Sequence, residues 1–319
     1  MKVAELEINK IYILETLDPT KDRMTGEELN KFLVDEQSYK SVRYSTNLCT
    51  EKFKQQLEYI VSSVNEEEGV LLFIEAHGSD DGISTRNGFI TWSELKGYLV
   101  NINRASSLGL VVVFSCCFGV NFYKETSITS QAPYYVMAGA DAPIAEHKVL
   151  DIAKALVEGF ISDNSLSEIE QSCNDMMQTI DANYTILDTG ELCNNSFEKY
   201  LIKSYDESDL RLRAINNFLS YRSSGNNLKL SYSDFKSIMY HIILDMSYLE
   251  NKFYDIKGRF LLTDEFGHLN ERFDLMFDEL AAKHDLEAKY KEILERNVPN
   301  LTMRLRGILN AWHFQFESA

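Results

Sequence analysis

Prolines are scarce in this chain, four in 319 residues, and the fifteen glycines follow no period. Collagen-like and linker-dominated architectures are therefore excluded. Basic residues are outnumbered: 32 Lys+Arg against 49 Asp+Glu leave a formal charge of −17 and a sequence pI near 4.8. Binding to a phosphate backbone rests on Lys and Arg neutralising phosphates, so direct nucleic-acid binding is not expected. The acidic field favours a cationic partner or substrate instead. No phosphate-binding glycine loop of either common type occurs. The five cysteines (49, 116, 117, 173 and 193) lack metal-type Cys-x-x-Cys spacing, and the first residues lack the apolar core of a secretory signal. Reduced thiols in a cytoplasm follow as the expectation, with no metal and no cofactor. The longest uncharged stretch, 105–123, is interrupted by Ser106, Ser107, Gly109, Ser115, Gly119 and Asn121. It reads as a buried strand with flanking loops, so no membrane span is expected.

What is present is an ordinary globular balance, 45% apolar and 25% charged, enough for two modest domains or one large one. Over the first two hundred residues, strand-like and helix-like segments alternate. Apolar, β-branched runs predict strands at 8–17, 41–47, 69–76, 108–114 and 133–139. Helical spacing predicts helices at 25–36 (capped by Thr25, with Glu28 at the reciprocal position), 50–65, 92–99 and 147–161. The turn-rich stretch 79–91 leaves room for a small hairpin. Strands alternating with helices imply an α/β fold, a mostly parallel sheet flanked by helices. From about residue 206 the pattern becomes helical. A single stripe (Phe235, Ile238, Met239, Ile242, Ile243, Met246, Leu249) marks one helix over 233–253. Further helices are expected over 271–295 and 300–312, with a short strand at 253–263. Two domains are thus expected, 1–205 and a mainly helical 206–319.

In an open α/β sheet, functional groups collect beyond the carboxyl ends of the strands. Two predicted strands end on reactive side chains: 69–76 runs into His77-Gly78, and 108–114 runs into Ser115-Cys116-Cys117-Phe118-Gly119. A histidine and a cysteine at adjacent strand tips are the parts of a thiol nucleophile with its general acid/base. Gly78 leaves room for substrate backbone and an N–H for an oxyanion, and Gly119 would let the chain turn sharply. The bland readings are a hydrogen-bonded structural histidine and two core cysteines.

The text LLFIEAHGSDDG followed by LVVVFSCCFG resembles the caspase-like cysteine peptidases, especially bacterial members with a CHAT-type domain. The caspase signature is Gln-Ala-Cys-x-Gly with a histidine upstream; aligned on Cys-x-Gly, Ser115 takes the Gln place, Cys116 the Ala place and Cys117 the nucleophile place. The segments GISTRNGFITWSELKGYL, YYVMAGAD and VLDIAKALVEGF also look like the family's filling, so the resemblance covers about residues 8–200. It implies a caspase-like fold with Cys117 attacking the scissile carbonyl, His77 protonating the leaving amine, and the N–H groups of Gly78 and Cys117 forming the oxyanion hole. Cys116 falls on the opposite strand face and is expected to be a packing residue. Two positions depart from the family habit. Glu75, on the same strand face as His77, either orients the imidazole or reaches solvent, and Phe118 replaces the usual polar residue after the nucleophile.

Asp141, just past the strand at 133–139, matches where arginine- and lysine-specific relatives carry an S1 acid, and a carboxylate there would pair with a basic P1 side chain. Glu146, Asp80 and Asp81 are alternatives, and a turn-forming loop residue is the bland reading of Asp141. The expected partners are a protein or peptide substrate, and a small-molecule signal or partner protein acting on 206–319. An antiviral or cell-death effector role is what the resemblance implies. Asp80-Asp81-Gly82 lacks the ligand spacing of a calcium loop. Two other classes compete: a catalytically silent scaffold, and a redox sensor built on Cys116-Cys117, which would need a strained vicinal disulfide.

Overall fold

The computed structural model describes residues 7–297 apart from 38, 40, 163, 178–181, 224–230 and 274; the helix expected at 300–312 lies outside the described residues. Its contacts divide the chain into two units. The first is Met1–Cys193 with Lys257–Phe273, and the second is Asn194–Ile256 with Asp274–Ala319. The division is thus discontinuous, and the stretch after residue 256 returns to the first unit.

The first unit is built on a six-stranded sheet. Its strands are β1 (Ile8–Glu15), β2 (Val42–Ser45), β3 (Gly69–Glu75), β7 (Leu110–Ser115), β8 (Val136–Ala140) and β9 (Tyr184–Asp188). They lie in the order β2-β1-β3-β7-β8-β9, all parallel except β9, which runs antiparallel beside β8. A second, three-stranded antiparallel sheet, β4 (Gly78–Ser79), β5 (Gly82–Thr85) and β6 (Gly88–Thr91), follows β3. The helices of this unit's first half are α1 (Thr25–Lys31, continuing as a π-helical turn to Glu36), α2 (Thr50–Ser63) and α3 (Trp92–Ala105). Later come α4 (Glu146–Ile161) and α5 (Leu166–Met177).

Every residue of β3 and β7 is buried, as their unbroken apolar runs require of strands covered on both faces. On one face Leu72, Ile74, Val112 and Phe114 meet Phe53, Leu57 and Ile60 of α2 and Leu95, Leu99 and Ile102 of α3. Each such side chain contributes about 1.5–3 kcal/mol by leaving water. On the opposite side α1 packs against β1, β3 and α4, and α4 against α5. From β1 the chain moves through α1 to β2; from β3 it moves away from β1 through α3 to β7. The crevice where the sheet's connections diverge therefore lies between the carboxyl ends of β1 and β3, the usual address of a ligand in such sheets.

The capping box expected at Thr25 does not form. Met24 occupies the cap position without a side-chain bond, because the Thr25 hydroxyl donates to a buried carboxylate, Glu75 Oε2, at 2.8 Å. Glu28 pairs with Arg23 instead. Strand β9, short and only half apolar (YTILD), was not foreseen.

The helices from residue 189 onward are α6 (Thr189–Ser204), α7 (Glu207–Ser223), α8 (Tyr232–Ile243) and α9 (Met246–Phe260). They are followed by α10 (Leu269–Arg272), α11 (Phe277–Lys283) and α12 (Leu286–Asn297). The second unit's core is aromatic, with Phe253 stacked edge-on against Phe197 at 4.9 Å and Phe218 against Phe235 at 5.3 Å. The single helix expected over 233–253 is two, parted where the Asp245 side chain caps the start of α9 by accepting from Tyr248 N. No strand forms at 253–263: Phe253, Ile256 and Phe260 recur at helical spacing and are buried in α9. No helix among the described residues is long and apolar enough to cross a membrane.

Candidate active site

Gly78 brings the two reactive strand ends together. A Cβ on Gly78 would stand 2.0 Å from the Cys117 carbonyl oxygen and 2.9 Å from Cys116 Sγ, so the backbone after β3 lies directly on the backbone after β7. The register of the two strands pairs Glu75 with Ser115, and two residues further on each strand's line come His77 and Cys117. Both lie just past their strands; Cys116 is in the core beneath α2 and α3, on the side of the sheet away from Glu75 and Thr25.

The two neighbouring thiols therefore differ. Cys116 is 3% exposed inside the core cluster beneath α2 and α3. Burial, together with the charges of Cys117 and Glu75, pushes its thiol well above the ordinary range. Cys117 is half-buried and free. The turn after it is taken not by Gly119 but by Phe118, which adopts the left-handed conformation (φ 58°, ψ 20°). For a residue with a Cβ this costs about 1–2 kcal/mol, and such strain gathers at functional sites. Gly119 is needed for closeness instead. A Cβ there would stand 2.5 Å from Phe114 Cβ, and one on Gly139 would stand 2.8 Å from Gly119 C.

His77 is largely exposed, and its Nε2 lies 3.2 Å from Asp22 Oδ1. Asp22 comes from the loop after β1, so the two residues face each other across the crevice between β1 and β3. Sequence reasoning passed over Asp22. Its signal was position alone, in the loop beyond the first strand at the carboxyl edge of the sheet. Glu75, named from the sequence as the imidazole's orienter or a solvent-facing group, does not reach solvent, and its carboxylate bonds to Thr25 rather than to the ring. It is 1% exposed, its Oε2 takes the Thr25 hydroxyl, and its Oε1 is buried without a hydrogen bond. Desolvation pushes its carboxyl up to about 8, against opposing contacts from Thr25 and Ser115 and with help from the charge of Glu15. Glu15 is its register partner on β1. This second carboxylate is also buried and also raised by burial, although it accepts from Gly26 N at 2.8 Å and from the Tyr44 hydroxyl. Glu15, Glu75 and Ser115 thus form a polar row across three strands, under the crevice.

The remaining acids named from the sequence sit around the same edge. Asp141 is exposed just past β8. Its Oδ1 accepts from Asn183 N at 2.7 Å and its Oδ2 from Asn183 Nδ2 at 3.2 Å, while its own N–H donates to Asn183 O. It extends the β8–β9 pairing by one residue, a local role other than the turn its bland reading expected, and no ion pair to it occurs among the described residues. Phe118 N–H donates to Ala142 O, so this loop adjoins the turn after Cys117. Asp80 accepts from Asn121 Nδ2 at 2.7 Å, and Glu146 from Arg23 N at 2.9 Å. Among the described residues no cluster of three or more His, Cys, Asp or Glu is arranged to hold a metal ion. Histidines 241 and 284 serve local contacts, with Tyr290 and Glu198 respectively, and His313 lies outside the described residues. A cavity of about 570 Å³ in the second unit is lined by Tyr205, Asp206, Lys289, Glu292 and Arg296 among others; it contains neither a thiol nor an imidazole. The chain matches no model of a known protein family, and no curated protein matches it either.

Proposed function

We propose that the chain is a cysteine endopeptidase of the caspase-like kind, with Cys117 as nucleophile and His77 as general acid/base. One observation supports this reading: the close approach of Gly78 to the Cys117 carbonyl, which brings the residue after an exposed imidazole against the residue that carries a half-buried thiol. A mostly parallel six-stranded sheet with its crevice at the same edge agrees with the resemblance seen in the sequence. No hydrogen bond joins the thiol to the imidazole among the described residues; dyads of this kind are often looser before substrate binds.

In the proposed reaction His77 takes the Cys117 proton, and the thiolate forms a C–S bond to the scissile carbonyl carbon. The carbonyl electron pair moves to oxygen, and the backbone N–H groups of Gly78 and Cys117 stabilise the oxyanion. Collapse breaks the C–N bond as the imidazolium returns its proton to the leaving amine. Water, deprotonated by His77, then cleaves the thioester, and the proton goes back to sulfur. Asp22 at Nε2 favours a proton on that nitrogen, leaving Nδ1 to exchange protons with the reactants.

A basic P1 residue fits this edge. Asp141 is an exposed carboxylate without a cation, next to the turn after Cys117, and its bonds from Asn183 leave acceptor capacity on both oxygens. Control by the second unit, through a small molecule or partner protein in a cytoplasmic antiviral or cell-death pathway, belongs to the same reading. It is supported by the resemblance and by an exposed apolar row on α7, Leu212, Ile215 and Leu219.

The test is labelling with an arginyl or lysyl chloromethyl ketone, read by peptide mass mapping, alongside turnover of peptides with Arg, Lys, Asp or apolar P1 residues. The adduct is expected on Cys117, with Cys117→Ala losing turnover by on the order of 10⁴-fold and Cys116→Ala retaining most of it. The reverse pattern, or an unlabelled and inactive protein with every plausible activator present, would overturn the peptidase in favour of a silent scaffold. Cleavage after Asp or apolar residues would overturn the role of Asp141.

A further inference from the structure

We propose that Glu75 is a positioning residue for His77, acting by fastening both ends of the loop that carries Asp22. The inference rests on the reading of His77 as the acid/base. The loop leaves β1 at Thr16, whose N–H donates to Glu75 O at 2.9 Å and whose hydroxyl donates to Ser84 O at 2.8 Å. It re-enters the fold at Thr25, whose hydroxyl donates to Glu75 Oε2 at 2.8 Å, followed by Gly26 N–H on Glu15 Oε1 at 2.8 Å. One residue thus accepts from the loop at its beginning through the main chain and at its end through the side chain.

Between these anchors the loop is closed on itself around Asp22. Asp22 N–H donates to Asp18 O at 2.8 Å, and Asp18 N–H donates to Asp22 Oδ2 at 2.8 Å. Asp18 Oδ1 accepts from both the N–H and the hydroxyl of Thr20. With Oδ2 held by the main chain, the Asp22 carboxylate has one oxygen left, and that oxygen is the one 3.2 Å from His77 Nε2. The bond from Thr25 is far inside the protein, where losing a hydroxyl cannot be repaired by solvent. Its release would leave the carboxyl-terminal half of the loop held by Arg23 N–H on Glu146 Oε1 and Gly26 N–H on Glu15 Oε1, and let Asp22 shift from the imidazole. Glu75 ends β3 two residues before His77, which makes the arrangement compact: the strand that leads into the imidazole also fixes the loop that aims it.

The experiment compares Thr25→Val, Asp22→Asn, their double variant and Thr25→Ser. The first readout is the pair of imidazole ¹⁵N shifts of His77, assigned by loss of its signals in His77→Gln, which reports the tautomer without requiring turnover. The second is kcat/KM on the peptide cleaved fastest. Thr25→Val is expected to move the ring shifts towards those of Asp22→Asn and to lower kcat/KM roughly 10-fold. In the Asp22→Asn background it should add nothing to either readout, and Thr25→Ser should restore the wild-type shifts. Wild-type ring shifts in Thr25→Val, or effects that add in the double variant, would overturn the proposal, because a merely structural threonine predicts additivity. Should Thr25→Val fail to fold, Thr25→Ala replaces it in the same cycle. If the wild type turns over no peptide, the peptidase reading fails by itself while the nitrogen shifts still decide whether Thr25 and Glu75 position the ring.

Discussion

Replacing Glu75 by Gln takes one titrating proton out of the protein interior, and the burial of that carboxyl sets the size of the effect on stability. In the unfolded chain the carboxyl ionises at its ordinary 4.5, whereas in the folded protein burial holds it up to about 8. A group whose folded value is raised binds more protons in the native state than in the unfolded state throughout that window, so stability falls as pH rises through it. Each pH unit costs about 1.4 kcal/mol, and the full window therefore approaches ~5 kcal/mol. That is a large part of the 5–15 kcal/mol or so of a typical domain. Its register partner Glu15 on β1 adds negative charge and reinforces the direction. Gln is neutral at every pH and should accept from Thr25 as the protonated acid does. Its amide beside Ser115 finds at best one partner, so a constant cost of about 1 kcal/mol is expected. The assay is urea unfolding of both proteins at half-unit steps from about pH 5 to about pH 8.5, read as the difference between them. The variant should be equal or slightly weaker near pH 5 and stronger than wild type by ~3–4 kcal/mol near pH 8. Asp188, also raised by burial, is present in both proteins and cancels in the difference, whereas Glu15, freed of the neighbouring charge in the variant, adds to it in the same direction. Parallel pH curves would refute the argument, since they would mean that Glu75 titrates alike in both states.

Gly78→Ala places a methyl 2.0 Å from a main-chain oxygen. It should destabilise by about 1–3 kcal/mol and lose far more turnover than this accounts for, measured at a temperature where the variant is folded. Asp141→Asn keeps an oxygen for Asn183 while removing the charge. It should leave unfolding within ~1 kcal/mol of wild type but reduce kcat/KM for an arginyl substrate at least 10-fold relative to a neutral one; equal losses on both would assign the residue to the loop alone. Tyr44→Phe takes a donor from the buried carboxyl of Glu15, and thermal unfolding should show a loss of about 1–3 kcal/mol at neutral pH, growing as the pH is raised.

The parallel sheet was legible because its central strands are unbroken apolar runs, and only a strand covered on both faces tolerates them. The candidates His77, Gly78 and Cys117 were nameable for the same reason: they follow within three residues the ends of those strands. Asp22 was not, since its meaning depends on β1 lying beside β3, a pairing of residues sixty positions apart. The surroundings of Glu75 were not legible, because a glutamate in an apolar strand looks like a group turned to the site or to solvent, and its carboxyl is instead buried. The sequence does not reveal that Thr25 is the residue across from it. Nor could it show that the same threonine would give up its capping role. In the helical part, Asp245 ended one helix and capped the next inside what reads as a single apolar stripe. A continuous pattern tells where the core lies, but not where the backbone breaks.

The return of the chain to the first unit has a practical consequence for anyone cutting it. Phe260 O accepts the N–H of Ala132, Phe273 lies edge-on to Tyr135 at 6.0 Å, and Arg272 Nη1 donates to Leu108 O. A fragment ending near residue 205 retains Cys117 and His77 yet loses these contacts with the segments before β7 and β8, and exposes apolar surface on Tyr135. Such a fragment should be aggregation-prone, whereas one in which residues 194–256 are replaced by a short linker into 257–273 keeps the first unit's own parts. In connectivity, 194–256 interrupts the first unit's chain and groups with the stretch from 274 onward.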